Sequence, residues 1–222
     1  MREKIQVFCK KVENLYSKKR LESYANSVGE HNKNLRFIAK ISYKIAVLEI
    51  SLRNMLDYCM QGQFGENWIW ESNNEYLKEK IAEIQAKESK QDLSLEHHQI
   101  LSRLTLGVIA RLIKEFKLQN SLLDLNDLTF KQYSQNNFDT IRKGYRFRNY
   151  QKVNIALNLI VTIRNRAFHW ENLNKRKNIG NYEISRIFTT AFKEVFISIE
   201  PRNIEKFLDD LIDRINKDLK NP

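Results

Sequence analysis

Residues 38–59 read IAKISYKIAVLEISLRNMLDYC, and this stretch decides the fold. Its large apolar residues recur at alternating spacings of three and four positions. This spacing is typical of a helix that buries one narrow face. The residues of this seam are Ile38, Ile41, Ile45, Leu48, Leu52, Met55 and Cys59. Gly62 and Gly65 follow, and glycine is favoured where a helix ends. We therefore predict one long helix that ends near these glycines.

The rest of the chain also has mainly helical periodicity. We expect further helices at about 3–26, 74–90, 95–117, 151–169 and 183–198, and a last helix from Pro201. Between them we predict an aromatic-rich loop at 64–72, a loop with a short helix at 118–138, and a basic turn at 175–181 that Gly180 closes. No internal repeat or flexible linker separates these segments. The prediction is a single all-α domain, a helical bundle over residues 1–222.

The two residue types that interrupt helices are scarce. There are only two prolines, Pro201 and Pro222, and six glycines among 222 residues. An architecture of many short strands needs more turn residues than this. The composition therefore favours long helices.

The chain is strongly basic, with a formal net charge of +11 from 38 basic and 27 acidic residues. This charge favours a polyanionic partner, and on charge alone both nucleic acid and an anionic membrane surface qualify. The longest apolar run, 104–110, is far too short to cross a bilayer, and the N-terminus lacks a signal-peptide pattern. We expect a cytoplasmic protein with no membrane partner. Cys9, Cys59 and the four histidines have no metal-ligand spacing, so no metal or other cofactor is expected.

Residues 163–171 read IRNRAFHWE and hold the candidate catalytic residues. On a continuous helix, Arg164 falls in the middle of an otherwise apolar face. Its guanidinium cannot lose a proton there, so it must meet an anion or open into a cleft. Asn165 and His169 are four residues apart on a different face, where the amide could orient the imidazole. From these residues alone, a structural ion pair and a histidine without chemistry are the simpler interpretation.

A basic stretch precedes this helix and continues into its first turns. Aromatic residues alternate with its cations, which suits phosphate contacts combined with base stacking. A solvated basic turn explains the pattern equally well. The candidate RNA-binding residues are Arg142, Lys143, Arg146, Arg148 and Lys152.

The string Arg164-Asn165-x-x-x-His169 resembles the R-x4-6-H motif of HEPN ribonucleases. Three more segments resemble, in the right order, the Abi-like family of phage-defence proteins. They read LEISLRN at 48–54, FGENW at 64–68 and ILSRLTLG at 100–107. Together with the motif they span residues of about 48–171.

The resemblance implies a HEPN-type helical bundle with additional helices, which forms a homodimer with two motifs facing each other across a cleft. It implies a metal-independent endoribonuclease toxin of an abortive-infection or toxin–antitoxin system. The 2′-OH of the RNA substrate would attack the adjacent phosphate, with His169 as general acid or base and Arg164 as electrostatic stabiliser. Asn165 would orient His169 or contact phosphate. An RNA or protein antitoxin is a further implied partner.

Two details qualify what the resemblance implies. A HEPN subgroup that is silenced by nucleotidylation has tyrosine two residues after the histidine, whereas this chain has Glu171, which argues against that control. Glu49 and Arg53, four residues apart in the first matching segment, are either a second polar pair near the cleft or a plain helical ion pair.

Two other classes of function stay open at this point. One is a non-catalytic helical module that binds RNA or nucleotides in the same basic cleft. The other is a protein-interaction subunit whose partner covers the apolar seam. Cutting of RNA by the purified protein separates the enzyme from both.

Overall fold

A computed structural model describes residues 1–88, 95–137, 146–180, 182–192 and 195–220. Most of these residues are helical, as predicted. The helices are α1 (Arg2–Cys9), α2 (Val12–Tyr16), α3 (Lys18–Glu22), α4 (Val28–Phe64), α5 (Trp68–Glu71), α6 (Glu75–Glu88), α7 (His97–Arg103), α8 (Leu106–Glu115), α9 (Gln119–Leu122), α10 (Asn149–Phe168) and α11 (Ile204–Ile215). Short 3-10 turns lie at Phe130–Tyr133, Gln135–Asn137, Pro201–Asn203 and Lys217–Lys220.

The long helix α4 is the axis of the fold. It begins where the Ser27 hydroxyl accepts a hydrogen bond from the Glu30 N–H at 3.2 Å, an N-cap. It ends at Gly65, which has φ +85° and donates its N–H to the Gln61 carbonyl at 2.9 Å. These ends confirm the predicted helix. Although its 37 residues extend over about 55 Å, neither α4 nor any other described helix is apolar enough to cross a membrane.

The buried face of α4 packs against α8, α10 and α11 to form the core. This face follows the predicted seam as far as Leu52. Beyond that residue Leu56 and Met60 are buried, whereas Met55 and Cys59 are only partly covered. A straight helix has 3.6 residues per turn, so a stripe of alternating threes and fours drifts off one face. The predicted seam is therefore wrong at its last two residues, Met55 and Cys59.

The predicted helix at 183–198 is also wrong, because this segment lies in two antiparallel hairpins. The strands are β1 (Arg176–Ile179), β2 (Tyr182–Ser185), β3 (Phe188–Phe192) and β4 (Val195–Ser198), with β1 paired to β2 and β3 to β4. β-branched and aromatic residues are dense here and prefer a pleated surface that is half buried. The strict all-α prediction is thus corrected to a mostly helical fold in which β3 packs on α10.

Three other predicted boundaries need correction. The helix expected at 3–26 is divided into α1, α2 and α3. The helix expected at 95–117 is divided into α7 and α8, because the Thr105 hydroxyl accepts a hydrogen bond from the Val108 N–H at 3.4 Å and starts a new helix. The loop expected at 64–72 contains the short helix α5.

Candidate functional site

Helix α10 carries the candidate catalytic residues at its C-terminal end. The apolar face that its sequence predicts lies in the core, and its residues are Val153, Ala156, Leu157, Ile160, Ile163 and Ala167. Arg164 lies at the border of this face, with 28% of its side chain exposed. The fold therefore holds the guanidinium at the edge of the core.

Arg164 faces the helix α4. Its Nε lies 3.5 Å from Oε2 of Glu49, and Nη2 of Arg53 lies 3.7 Å from Oε1 of the same carboxylate. Only 14% of the Glu49 side chain is exposed. The structure thus brings Arg164 together with the two residues that the sequence had singled out as a separate pair.

The one carboxylate of this cluster incompletely neutralises its two guanidinium groups. Both contacts are longer than the 2.7–2.9 Å of a charge-assisted hydrogen bond. In the described part of the chain, the Nε atoms of Arg164 and Arg53 have no hydrogen-bond partner. The Arg164 guanidinium also lies 5.2 Å from the centre of the exposed Phe168 ring. Two cations against one anion leave a formal charge of +1, and the exposed part of the Arg164 side chain gives an external anion access to it.

Asn165 and His169 are both exposed. The Asn165 Oδ1 accepts a hydrogen bond from Nη1 of Arg164 at 3.4 Å, so this amide contacts the guanidinium. The His169 backbone N–H donates to the Asn165 carbonyl at 3.0 Å. Among the described residues the His169 imidazole has no hydrogen-bond partner. The amide therefore does not hold the imidazole within this protomer.

The backbone turns sharply directly after His169. Trp170 has φ +56°, a left-handed conformation that is unfavourable for a residue with a Cβ atom and is usually taken by glycine at this position. Its N–H donates to the Ala167 carbonyl, and the Glu171 N–H donates to the Arg166 carbonyl, both at 2.9 Å. These two bonds form a Schellman motif that caps α10. A bulky residue thus occupies a strained position next to the candidate catalytic histidine.

Arg20 of α3 holds this turn from outside. Its Nη2 donates to the Trp170 carbonyl at 2.5 Å, and its Nε donates to Nε2 of His31 at 2.9 Å. His31 is only 1% exposed and lies between the rings of Tyr16 and Tyr24. Burial lowers the pKa of His31 from its ordinary value of 6.5. The imidazole is thereby kept neutral, which it must be in order to accept the bond from Arg20.

Asn34 of α4 fixes the residues that follow the turn. Its side chain is buried, and its Nδ2 donates to the Glu171 carbonyl at 3.0 Å. Its Oδ1 accepts the Leu173 N–H at 3.0 Å. The N-terminal part of the chain therefore positions the segment after His169, although it is more than a hundred residues away in sequence.

His169 borders a small open pocket of about 170 Å³. Three segments supply its charged side chains. Helix α3 contributes Lys19 and Arg20, the connection between α10 and β1 contributes Glu171 and Lys175, and Arg186 follows β2. Arg164 is not among the described residues that line it. Since α10 is continuous to Phe168, the five residues from Arg164 to His169 turn through about 140°. One protomer therefore presents the two candidate catalytic side chains in different directions.

The predicted RNA-binding stretch lies at the other end of α10. Arg142 and Lys143 lie outside the described residues. Arg146 and Arg148 are exposed just before the helix. With a rise of 1.5 Å per residue, Arg148 and His169 are separated by about 30 Å along the helix axis. The two ends cannot contact the same phosphate of an RNA strand from within one protomer.

Lys152, the last residue of that stretch, is engaged in the fold. Its Nζ donates to the carbonyls of Asn126 and Leu128 at 2.7 and 2.8 Å. Burial lowers its pKa. This lysine therefore anchors the 126–128 loop rather than presenting a free cation to solvent.

A larger cleft, of about 810 Å³, lies next to the small pocket, since Asn174 and Arg176 line the cleft and Lys175 between them lines the pocket. Arg176 is paired with Glu200 at 2.5 Å. The Ser134 hydroxyl also donates to Glu200, at 3.4 Å. The charges of Arg176 and Glu200 in the cleft therefore neutralise each other, whereas the charges around His169 are not balanced.

The sequence did not predict Lys19, Arg20 or Arg186 as site residues. The run Lys18-Lys19-Arg20 is a visible basic signal, but it lies about 150 residues before His169. Only the contact of α3 with the turn after α10 makes this run part of the same surface.

Comparison with protein-family models, with curated proteins and with solved structures gives no match.

Proposed function

We propose that this protein is a metal-independent endoribonuclease of the HEPN type that works as a homodimer. The observation that carries the proposal is the cluster of Arg164, Arg53 and Glu49, in which two guanidinium groups share one carboxylate at distances of 3.5 and 3.7 Å. Such a cluster is electrostatically incomplete until an anion approaches. A phosphodiester supplies that anion, and the basic character of the chain favours it.

The reaction needs two proton transfers and stabilisation of one developing charge. The 2′-OH oxygen of RNA attacks the adjacent phosphorus while its proton leaves to a base, and the bond from phosphorus to the 5′-oxygen breaks while that oxygen gains a proton. The products are a 2′,3′-cyclic phosphate and a 5′-OH. His169 is exposed, and an imidazole can accept one proton and donate another. Arg164 stabilises the negative charge on the phosphate oxygens, and Asn165, in contact with Arg164, orients the guanidinium or binds the phosphate.

The homodimer follows from the directions of the two side chains. Arg164 and His169 diverge by about 140° around α10, so one protomer cannot aim both at a single phosphate. A two-fold axis beside the end of α10 brings Arg164 of one protomer close to His169 of its partner. Each composite site then contains both residue types.

We place this activity in bacterial defence. A cytoplasmic nuclease that cuts cellular RNA is a toxin, and it suits an abortive-infection or a toxin–antitoxin system. Such a toxin needs a partner that silences it, either an RNA or a protein antitoxin. This assignment rests on the resemblance of the motif and its flanking segments.

The test is incubation of the purified protein with total RNA in the presence of excess EDTA. We expect fragments with 2′,3′-cyclic phosphate and 5′-OH ends, and cleavage that chelation leaves unchanged. His169→Ala should abolish cleavage, since a general acid–base residue typically contributes about 10²–10⁴-fold. His98→Ala is the matched control, because His98 is an exposed histidine outside the site.

Three results contradict parts of the proposal. Full activity of a folded His169→Ala protein excludes the mechanism. Loss of cleavage with EDTA and recovery with magnesium excludes the metal-independent reaction. Tight RNA binding without cutting indicates the non-catalytic binding module instead.

A mixing experiment tests the composite site. A dimer of one Arg164→Ala and one His169→Ala subunit keeps one intact pair across the interface and none within a chain. We therefore expect co-refolded mixtures of the two inactive variants to regain part of the activity. No recovery, or full activity of a particle that light scattering shows to be a monomer, contradicts the dimer.

A further inference from the structure

Among the residues that the structure describes, four cationic side chains and one carboxylate line the pocket beside His169. Lys19, Arg20, Lys175 and Arg186 contribute four positive charges, and Glu171 contributes one negative charge. The formal charge of the pocket is therefore +3. None of its four cations belongs to the helix that carries the motif.

Two of these cations are free to bind an incoming anion. Lys19 and Lys175 are exposed, and within the described residues neither takes part in an ion pair. Arg186 lies 3.9 Å from Glu171, whose carboxylate is already hydrogen-bonded to Arg166 at 2.5 Å. Glu171 therefore leaves most of the positive charge of the pocket uncompensated.

Arg20 has a different role in the same pocket. It donates to the Trp170 carbonyl and to His31, so its guanidinium is held in one place by the fold. Arg20 is therefore a fixed cation of the pocket, whereas Lys19 and Lys175 are exposed lysines that also line it. This arrangement allows a ligand to enter from solvent and to be held by charge.

The size of the pocket limits what it can hold. Its volume of about 170 Å³ is below the 300–1,000 Å³ that is usual for sites of small organic ligands. A nucleoside does not fit inside it, whereas a single tetrahedral phosphate group does. Lysine binds phosphate as a mobile point charge, which suits this geometry.

We propose that this pocket binds one phosphate group of the RNA strand, next to the nucleotide on which His169 acts. This inference rests on the proposed function, because it assumes an RNA substrate. The cut phosphate lies at the composite site of Arg164 and His169, and a neighbouring phosphate lies between Lys19 and Lys175. The pocket thereby fixes the position of the strand relative to the imidazole without taking part in the chemistry.

The test uses a single-stranded oligonucleotide in which every 2′-OH is methylated, so that attack by the 2′-OH is impossible and binding is measured without cleavage. The variant Lys19→Gln/Lys175→Gln removes the two exposed cations of the pocket. The matched control is Lys18→Gln/Lys117→Gln, which removes the same charge from exposed lysines that do not line the pocket. Lys18 is the neighbour of Lys19 in sequence. Lys117 is two residues before Gln119, whose side chain contacts Asn154 of α10. Asn154 and His169 are about 22 Å apart along the helix axis.

We expect the pocket variant to bind about tenfold more weakly, and the slope of log affinity against log salt to fall by about 1, as for one lost phosphate contact. The control pair should stay within about twofold of the wild type. Equal losses of affinity in the two double variants overturn the proposal, because the lost bulk charge then explains them. Unchanged binding by the pocket variant also overturns it.

Two further measurements separate this inference from the proposed function. If the wild-type protein fails to cut unmodified RNA but binds the methylated strand through the two lysines, the proposed function fails and the pocket stands. If it cuts RNA and the pocket variant keeps the wild-type KM, the pocket inference fails alone. Inorganic phosphate at constant ionic strength should compete with the strand for the wild type and not for the pocket variant. Phosphate that binds the wild type without displacing the strand overturns the assignment to RNA.

Discussion

The two ends of α10 carry similar numbers of polar and cationic side chains but use them in opposite ways. At the N-terminal end, the Asn149 Oδ1 accepts the Leu125 N–H at 2.7 Å, and its Nδ2 donates to the Leu123 carbonyl at 2.8 Å. Lys152 is bound to two backbone carbonyls in the same region. These side chains form hydrogen bonds with backbone groups of the loop at 123–128 and so fix it to the helix.

At the C-terminal end, the polar side chains have hydrogen-bonding groups and charge that the fold does not pair. Arg164 shares one carboxylate with Arg53, and the His169 imidazole is exposed without a partner among the described residues. Trp170 holds the backbone in a strained conformation beside them. Strain and unpaired polar groups persist where function requires them. A high density of charged residues in the sequence is therefore a poor guide to a candidate site. Charged groups that lack a partner in the folded protein are a better guide.

The largest expected difference between the two ends is catalytic. Arg164→Ala should reduce the rate of RNA cleavage by about 10²–10³-fold, since it removes a group that stabilises charge in the transition state. Arg148→Ala, at a candidate RNA-binding arginine at the other end, should weaken RNA binding but change the cleavage rate at saturating protein by less than about twofold. Single-turnover cleavage of a labelled RNA measures both rates.

The stability of Arg164→Ala is the control for that experiment. Glu49 keeps Arg53 as a partner in this variant, so its unfolding midpoint in urea should stay close to that of the wild type. A catalytic loss of the same size in Arg148→Ala would remove the distinction between the two ends.

Most of the helical fold could be predicted because its signals are local. The spacing in α4, the glycine at its end and the apolar face of α10 each follow from neighbouring residues. The hairpins after α10 could not be predicted by helical spacing, because their strands are stabilised by pairing and by packing of β3 on α10. The division at Thr105 depends on one hydroxyl that caps a new helix.

The candidate site was predicted where it is local in sequence, and the resemblance added Glu49 and Arg53 as a possible polar pair near the cleft. Arg164, Asn165 and His169 lie on one helix end, and Glu49 lies opposite Arg164 because α4 and α10 pack together. The cations at Lys19 and Arg186 come from elements that only the tertiary fold brings to His169. No spacing within the chain encodes that proximity.

The second prediction compares the same substitution at the two ends of the helix. Asn149→Ala leaves the buried Leu125 without a partner for its N–H and should reduce the free energy of unfolding by about 2 kcal/mol. Asn165→Ala removes an exposed side chain from a helix and should change it by less than about 0.5 kcal/mol. Urea denaturation followed by circular dichroism measures both. Equal losses would show that the C-terminal amide is structural as well.

The third prediction concerns pH and the support of the C-terminal end by His31. Burial lowers the pKa of His31 in the folded protein, so the unfolded chain binds its proton at a higher pH than the folded one. The stability that neutral His31 contributes is therefore complete above its ordinary pKa of 6.5 and is lost as the pH falls below this value. The wild type should lose stability between about pH 7 and pH 5, and His31→Gln should show a shallower dependence. An identical dependence in the two proteins would contradict the role of His31.

The smallest expected effect concerns the strained turn after His169, for which the chain offers a matched partner. Lys117, after α8, has φ +57°, and the Leu118 N–H donates to the Ile113 carbonyl at 2.9 Å, as in the turn at Trp170. A left-handed conformation costs about 1–2 kcal/mol for a residue with a Cβ atom, and glycine avoids this cost but loses about 0.5–1 kcal/mol of chain entropy on folding. Lys117→Gly and Trp170→Gly should therefore each raise the free energy of unfolding by about 0.5–1 kcal/mol.

Activity should distinguish the two glycine variants even though their stabilities agree. Trp170→Gly frees the backbone next to His169, so the imidazole is held less firmly and the cleavage rate should fall by a few fold. Lys117→Gly lies at the end of another helix and should leave the rate unchanged. Thermal unfolding and single-turnover cleavage measured on both variants provide the test. If Trp170→Gly becomes more stable and keeps full activity, the strain at this end of α10 has no part in positioning His169, and the difference between the two ends reduces to their unpaired charges.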